Sequence, residues 1–109
     1  MQLAVLGLNH KTAPVEVRSR VAWTAEQLPA ALSGLHALPG VQEVAIVSTC
    51  NRTEIYAVLT DAGPGRDQLL AFWSRDRGVS PADLAGSYFL TGEEAAAHLM
   101  RVASGLDSL

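Results

Sequence analysis

Apolar positions open the chain in a nearly unbroken run, Gln2–Leu8 (QLAVLGL), which predicts a first strand internal to a sheet. The next stretch, NHKTAPVEVRSRVAW, reads as a long mixed connector, because Pro14 demotes any strand around it. Val15, Val17 and Val21 give that connector a buried side. Leu28, Ala31, Leu32 and Leu35 then recur at helical spacing and form one apolar stripe. Thr24 and Gln27 have the spacing of a capping box. Pro29 would remove a backbone bond from a helix begun at Ala25, so the start lies either there or near Gln27. Pro39–Gly40 stops the helix.

Val41–Ser48 (VQEVAIVS) is a strand, and the continuous apolar stretch Val44–Val47 predicts burial on both faces. Thr53–Thr60 alternates, with Ile55, Ala57 and Leu59 on one side. Thr49 to Arg52 separates the two strands, a length that suits a hairpin loop, and Asn51 tolerates the backbone such loops need. Asp61–Gly65 (DAGPG) reads as a turn. Arg66–Arg77 reads as a helix with Leu69, Leu70 and Trp73 inward, closed by Gly78. Ser80–Asp83 (SPAD) starts a short helical turn, and Ser87–Leu90 is a short strand. Thr91 with Glu94 repeats the capping-box spacing, and the last helix places Leu99, Val102, Ala103 and Leu106 along one side. The order strand, helix, strand, strand, helix, strand, helix predicts an α+β domain. It is the split pattern of a ferredoxin-like βαββαβ fold, an antiparallel sheet with its two main helices on one face, plus a C-terminal helix.

Length supports this reading, since 109 residues fit one domain over 1–109. The net charge is −3, and no basic footprint for a polyanion is present, so this segment is not the main electrostatic anchor for nucleic acid. One cysteine excludes an intrachain disulfide. The N-terminal apolar run is too short for a signal peptide, has no basic residue before it, and points with the lone cysteine to a cytoplasmic setting. No apolar stretch approaches the roughly 20 residues of a membrane span. The abrupt end after Gly105 suggests a chain cut from something longer.

The chemistry concentrates in STCNRTEIY, Ser48–Tyr56. Cys50 there is either a small apolar residue at a strand end or a nucleophile at a loop tip. A nucleophile needs exposure and a favourable charge, because a thiol with an ordinary pKa of about 8.5 is only a few per cent thiolate at neutral pH. Arg52 is close enough to supply that charge, or to clamp a substrate carboxylate through two parallel bonds. Thr49, Asn51 and the backbone N–H groups are donors for a carbonyl or an oxyanion. His98 on the last helix stands one turn from Glu94, a spacing that pairs and orients the ring, although a solvated surface pair has the same spacing. His10 follows the first strand in a polar loop, and His36 near the end of the first helix reads as structural. One cysteine and three scattered histidines make no metal set, and GLNHKTAP lacks the G-x-G-x-x-G spacing of a dinucleotide loop. Trp23 and Trp73 are core or rim residues. The residues by themselves leave a cysteine hydrolase (an amidase or thioesterase) and a ferredoxin-like binding module with an inert thiol both open.

Three stretches together resemble the glutamyl-tRNA reductase family: GLNHKTAPVEVR (Gly7–Arg18), STCNRTEIY (Ser48–Tyr56) and HLMRVASGLDSL (His98–Leu109). The resemblance implies the N-terminal catalytic domain alone, with the NADPH-binding and helical dimerisation domains absent from this chain. It implies a reaction in which a cysteine thiolate attacks the ester of glutamyl-tRNA. NADPH then reduces the resulting thioester to glutamate-1-semialdehyde, the first step of tetrapyrrole (porphyrin) synthesis. Carried over by position, Cys50 resembles the nucleophile and His98 the histidine important for activity. Thr49, Asn51 and Arg52 resemble the glutamate-binding loop, and Ser108 a further substrate contact. For Asn9, His10 and Lys11 the resemblance marks a shared motif without a role. The expected partners are glutamyl-tRNA, a second copy through the missing helices, and a downstream aminomutase. A chain of this extent is expected to form the thioester, or slowly hydrolyse the ester, without completing a reduction.

Overall fold

The structure, a computed structural model, describes residues 1–105. Four strands, β1 (Gln2–Asn9), β2 (Val41–Ser48), β3 (Arg52–Leu59) and β4 (Tyr88–Thr91), form one antiparallel sheet in the order β2-β3-β1-β4. Among the described residues four helices accompany the sheet: α1 (Val15–Val21), α2 (Leu28–His36), α3 (Ala62–Arg77) and α4 (Gly92–Ala103). A 3-10 turn at Pro81–Leu84 precedes β4.

Two cores lie on opposite faces of the sheet. Because side chains alternate across a strand, β1 directs Ala4, Leu6 and Leu8 one way and β3 directs Ile55, Ala57 and Leu59 the same way. Those residues pack with Ala31 and Leu35 of α2, Leu69, Phe72 and Trp73 of α3, and Val21 of α1. The expected pair of main helices does share this face. Trp23 and Trp73 are buried there, stacked with centroids 6.0 Å apart. Their indole N–H groups are satisfied by Asp76 Oδ2 at 2.8 Å and the Val21 carbonyl at 3.0 Å. The opposite face holds Val5 and Tyr56 against Ala95 of α4. β1 and β3 are therefore covered on both sides.

Several local expectations change. The connector after β1 contains a helix, α1: Pro14 cannot join a ladder, but its fixed φ suits the position just before a helix. Within it Val21 is buried, Val17 half-buried and Val15 exposed. Thr24 and Gln27 do exchange capping bonds, Gln27 Oε1 accepting from Thr24 N at 2.9 Å and Thr24 Oγ1 from Gln27 N at 3.3 Å. The continuous helix nevertheless starts at Leu28, which leaves Pro29 in its first turn, where no bond is lost. α3 starts at Ala62 rather than Arg66, with Asp61 as its cap and Pro64 in its first turn. β2 is not buried on both faces. It is an edge strand with Ala45 exposed, because α4 packs over β1 and β4 and leaves β2 uncovered.

In α4, Thr91 makes no side-chain cap bond, since Gly92 turns the chain from β4 into the helix at φ 58°. The buried line of α4 runs through Ala95 and His98, whereas Leu99 and Ala103 face outward. Leu106 lies outside the described residues. Among the described residues no helix is long and apolar enough to cross a membrane.

Candidate active site

The second face of β3 carries Arg52, Glu54 and Tyr56 at alternating positions, all buried. Glu54 has no exposed surface, and a buried carboxylate is tolerated only where its acceptors are filled. Here they are filled from four residues. Arg52 Nη1 donates to Oε2 at 3.1 Å, His98 Nε2 lies 2.5 Å from the same oxygen, and the Tyr88 hydroxyl also donates to it. The Tyr56 hydroxyl donates to Oε1 at 2.7 Å. Burial by itself pushes the Glu54 carboxyl up, but the bonds from Tyr88, His98 and Tyr56 and the charge of His98 outweigh it. The net direction is below the usual carboxylate range. Tyr88 moves the other way: desolvation and the adjoining carboxylate hold its phenol strongly in the protonated, donating form. Its ring also packs against His98, centroids 5.3 Å apart.

Gly7 makes this meeting possible. It pairs with Glu54 on one side and Tyr88 on the other, so it lies between them in the sheet. A Cβ there would stand 2.7 Å from Glu54 Cγ, 3.0 Å from the Thr53 carbonyl oxygen and 3.1 Å from the Tyr88 hydroxyl. Gly7→Ala is therefore expected to lower stability by about 1–3 kcal/mol, the cost of overpacking. A urea midpoint within error of wild type would contradict this.

Cys50 is exposed in the loop joining β2 to β3. Thr49 Oγ1 accepts from the N–H groups of Asn51 and Arg52, each at 3.2 Å, and Thr49 N donates to the Arg52 carbonyl at 2.7 Å. Thr49, expected to act as a donor to substrate, serves in this state as the acceptor that shapes the loop. The loop is fastened to the segment after β1 as well. His10 N donates to the Asn51 carbonyl at 2.8 Å. Arg18 Nε donates to the Cys50 carbonyl at 3.2 Å and its Nη1 to the Ala13 carbonyl at 2.8 Å. Two stretches far apart in sequence, around residues 9–18 and 48–56, thus form one unit.

The tertiary structure brings together Cys50's loop, Arg52 and His98, through Glu54. It corrects one expectation. The carboxylate that orients His98 is Glu54 on β3, not Glu94, which is exposed on α4's outer side. The Arg52 side chain is only 3% exposed and donates one N–H to Glu54. Ser108 lies outside the described residues.

Sequence reasoning missed Glu54, Tyr88 and Arg18. Glu54 and Arg18 stood inside the quoted motifs, but only the sheet order shows that the polar side of β3 is covered. His36 is exposed near the end of α2, its Nε2 3.2 Å from the Gln42 carbonyl. A surface cavity of about 510 Å³, lined by Arg66, Leu70, Arg75 and Leu84 among others, shares no residue with this cluster.

Comparison with known proteins places the chain in a family. Residues 6–109 match the model of the family described as "Glutamyl-tRNAGlu reductase, N-terminal domain". A glutamyl-tRNA reductase of Chromohalobacter salexigens is 51% identical over 111 residues, covering all of this chain and 26% of that protein. One from Synechocystis sp. is 46% identical over 110 residues, again covering all of this chain and 26% of that protein. The solved structure of a glutamyl-tRNA reductase from Methanopyrus kandleri superposes with a TM-score of 0.64 at 29% identity, over 98% of this chain and 23% of that one. The chain therefore spans about a quarter of the length of these relatives. With the family model matched over residues 6–109, relatives 51% and 46% identical and a shared architecture, the chain belongs to the glutamyl-tRNA reductase N-terminal domain family.

Proposed function

We propose that this chain is the acyl-transfer part of a glutamyl-tRNA reductase, with Cys50 as the nucleophile. The observation that carries the reading is the placement of the single cysteine. It is exposed on a loop pinned by Thr49, His10 and Arg18, beside a buried Arg52–Glu54–His98 network. Strand order β2-β3-β1-β4 with α2 and α3 on one face supports the ferredoxin-like reading of the scaffold.

In the proposed step the Cys50 sulfur attacks the ester carbonyl carbon of glutamyl-tRNA. The carbon–sulfur bond forms, the bond to the ribose oxygen breaks, and that oxygen takes up a proton as the tRNA leaves. In this reading His98 handles the proton. Thr49, Asn51 and Arg52 in this reading form the loop that binds the glutamyl moiety, and Arg18 adds a half-exposed guanidinium at the same loop. Ser108 belongs to the same proposal as a further substrate contact. A thioester suits the route because it accepts hydride more readily than an oxygen ester.

NADPH would supply that hydride. Its usual cradle is a glycine-rich turn from strand to helix, which the segment from Gly7 to Pro14 does not form. Entry into tetrapyrrole synthesis, a dimer through further helices, a downstream aminomutase and a cytoplasmic site belong to the same proposal.

The test is intact-mass spectrometry of the chain after incubation with glutamyl-tRNA. A gain of one glutamyl group, mapped to Cys50, is the expected result. Absence of any adduct, or an adduct at another residue, overturns the reading.

A further inference from the structure

The polar cluster behind Cys50 decides more than the orientation of a histidine. We propose that Glu54 is a positioning residue that fixes His98 as its Nε2–H tautomer, leaving Nδ1 as the nitrogen able to exchange a proton in the acyl-transfer step. The proposal rests on the functional reading above, in which His98 handles that proton.

Geometry carries it. A neutral imidazole has one donor and one acceptor nitrogen, and which is which follows from the bond each makes. His98 Nε2 lies 2.5 Å from Glu54 Oε2. The same carboxylate receives the Arg52 guanidinium, which can only donate, and the hydroxyls of Tyr88 and Tyr56. A carboxylate surrounded by donors is ionised and offers acceptors alone, and the depressed range of the Glu54 carboxyl agrees. Nε2 must therefore carry the proton. Nδ1 makes no hydrogen bond among the described residues, and about 8% of the His98 side chain remains accessible. A partly open Nδ1 opposite an anchored Nε2 is the arrangement in which a carboxylate sets the tautomer of a working histidine.

Tyr88 holds the other side of the arrangement. Its hydroxyl shares Oε2 with His98, and its ring lies against the imidazole. The Glu54 carboxylate therefore cannot swing away without breaking bonds to three other residues. Since Gly7 leaves the space in which Glu54 and Tyr88 meet, the tautomer depends on a residue of β1 that carries no side chain.

Long-range nitrogen–proton NMR spectra of the histidine-labelled chain test this, with the His98 signal assigned by comparison with His98→Gln. In wild type the neutral ring is expected to show the proton on Nε2, and a proton on Nδ1 overturns the proposal. Glu54→Gln keeps the shape but offers a donor as well as an acceptor. It is expected to lose the Nε2–H preference and to slow acyl transfer about 10- to 100-fold, part of what a positioned proton-transfer group contributes, with KM for glutamyl-tRNA unchanged. A folded Glu54→Gln chain with wild-type rate and tautomer overturns the proposal. If circular dichroism shows that the variant does not fold, the wild-type spectrum alone decides. If wild type forms no thioester, the functional reading fails while the spectra still settle the tautomer.

Discussion

Replacing Cys50 by serine is expected to abolish thioester formation while leaving the domain folded. The two effects separate because of where the residue stands. Cys50 is exposed, and the loop around it is held by Thr49 Oγ1, the Arg52 carbonyl, the Asn51 carbonyl and Arg18, none of which bonds to the sulfur. Changing sulfur to oxygen removes no packing, so stability should stay within about 0.5 kcal/mol, the usual range for surface substitutions. The chemistry is affected far more. A serine hydroxyl is almost wholly protonated at neutral pH and is a much weaker nucleophile than a thiol, unless a base is in direct reach. Loss of an enzyme's nucleophile can cost on the order of 10⁶-fold in turnover, so the acyl adduct should vanish from the mass spectrum. The decisive measurement is the intact mass of both chains after the same exposure to glutamyl-tRNA. An undiminished glutamyl adduct on the serine variant, at any residue, would remove Cys50 from the role.

Glu54→Ala is expected to be the most damaging single change to stability. Truncation would remove one carboxylate partner from the buried Arg52 side chain, which is 3% exposed, and would take the shared acceptor from Tyr56, Tyr88 and His98. Breaking a buried ion pair from one side costs about 3–5 kcal/mol. For a domain whose total stability is about 5–15 kcal/mol, that loss approaches unfolding.

The pH dependence carries the same signature. The Glu54 carboxyl is held below its ordinary 4.5 in the folded chain, because its bonds outweigh the opposing effect of burial. An acid with a depressed folded pKa contributes stability that is fully present above the unfolded value. That stability is lost as pH falls through the folded one. Wild type should therefore weaken on acidification below about 4.5, and Glu54→Ala should show a flatter acid limb. Urea midpoints at neutral pH and at two acid values would measure both. A variant within about 1 kcal/mol of wild type at neutral pH would refute the account of the network, as would parallel acid limbs.

The elements that periodicity placed well are those whose pattern answers to their own immediate surroundings. Ile55, Ala57 and Leu59 share a face because strands alternate, and Leu35 and Leu69 are buried because a helix returns every 3.6 residues. The errors have a common cause. VAIV in β2 looks like an inner strand, yet β2 ends up at the edge, because neither its neighbours in the sheet nor the helix that would cover it can be known from its own residues. Leu99 looks like a core position, but the inward line of α4 runs through His98, which is drawn in by a carboxylate 44 residues earlier. Pro14 ruled out a strand correctly, and the same ring geometry then allowed a helix that went unread.

For the site, the sequence by itself singled out a candidate for the reacting atom. A lone cysteine in a polar loop between two strands pointed to Cys50 and the loop Thr49–Arg52, and the resemblance of the neighbouring motifs added His98. Tertiary structure alone decided what holds them. Glu54 read as one polar residue on an alternating strand, and Tyr88 as part of a short one. They became a hub only when β1 came between their strands, with a glycine at the crossing point and α4 laid over the top. The physical reason is range. Alternation, caps and turns are set within a few residues and are written locally. A buried carboxylate instead finds its partners across strands and helices that only the assembled sheet brings within hydrogen-bond distance.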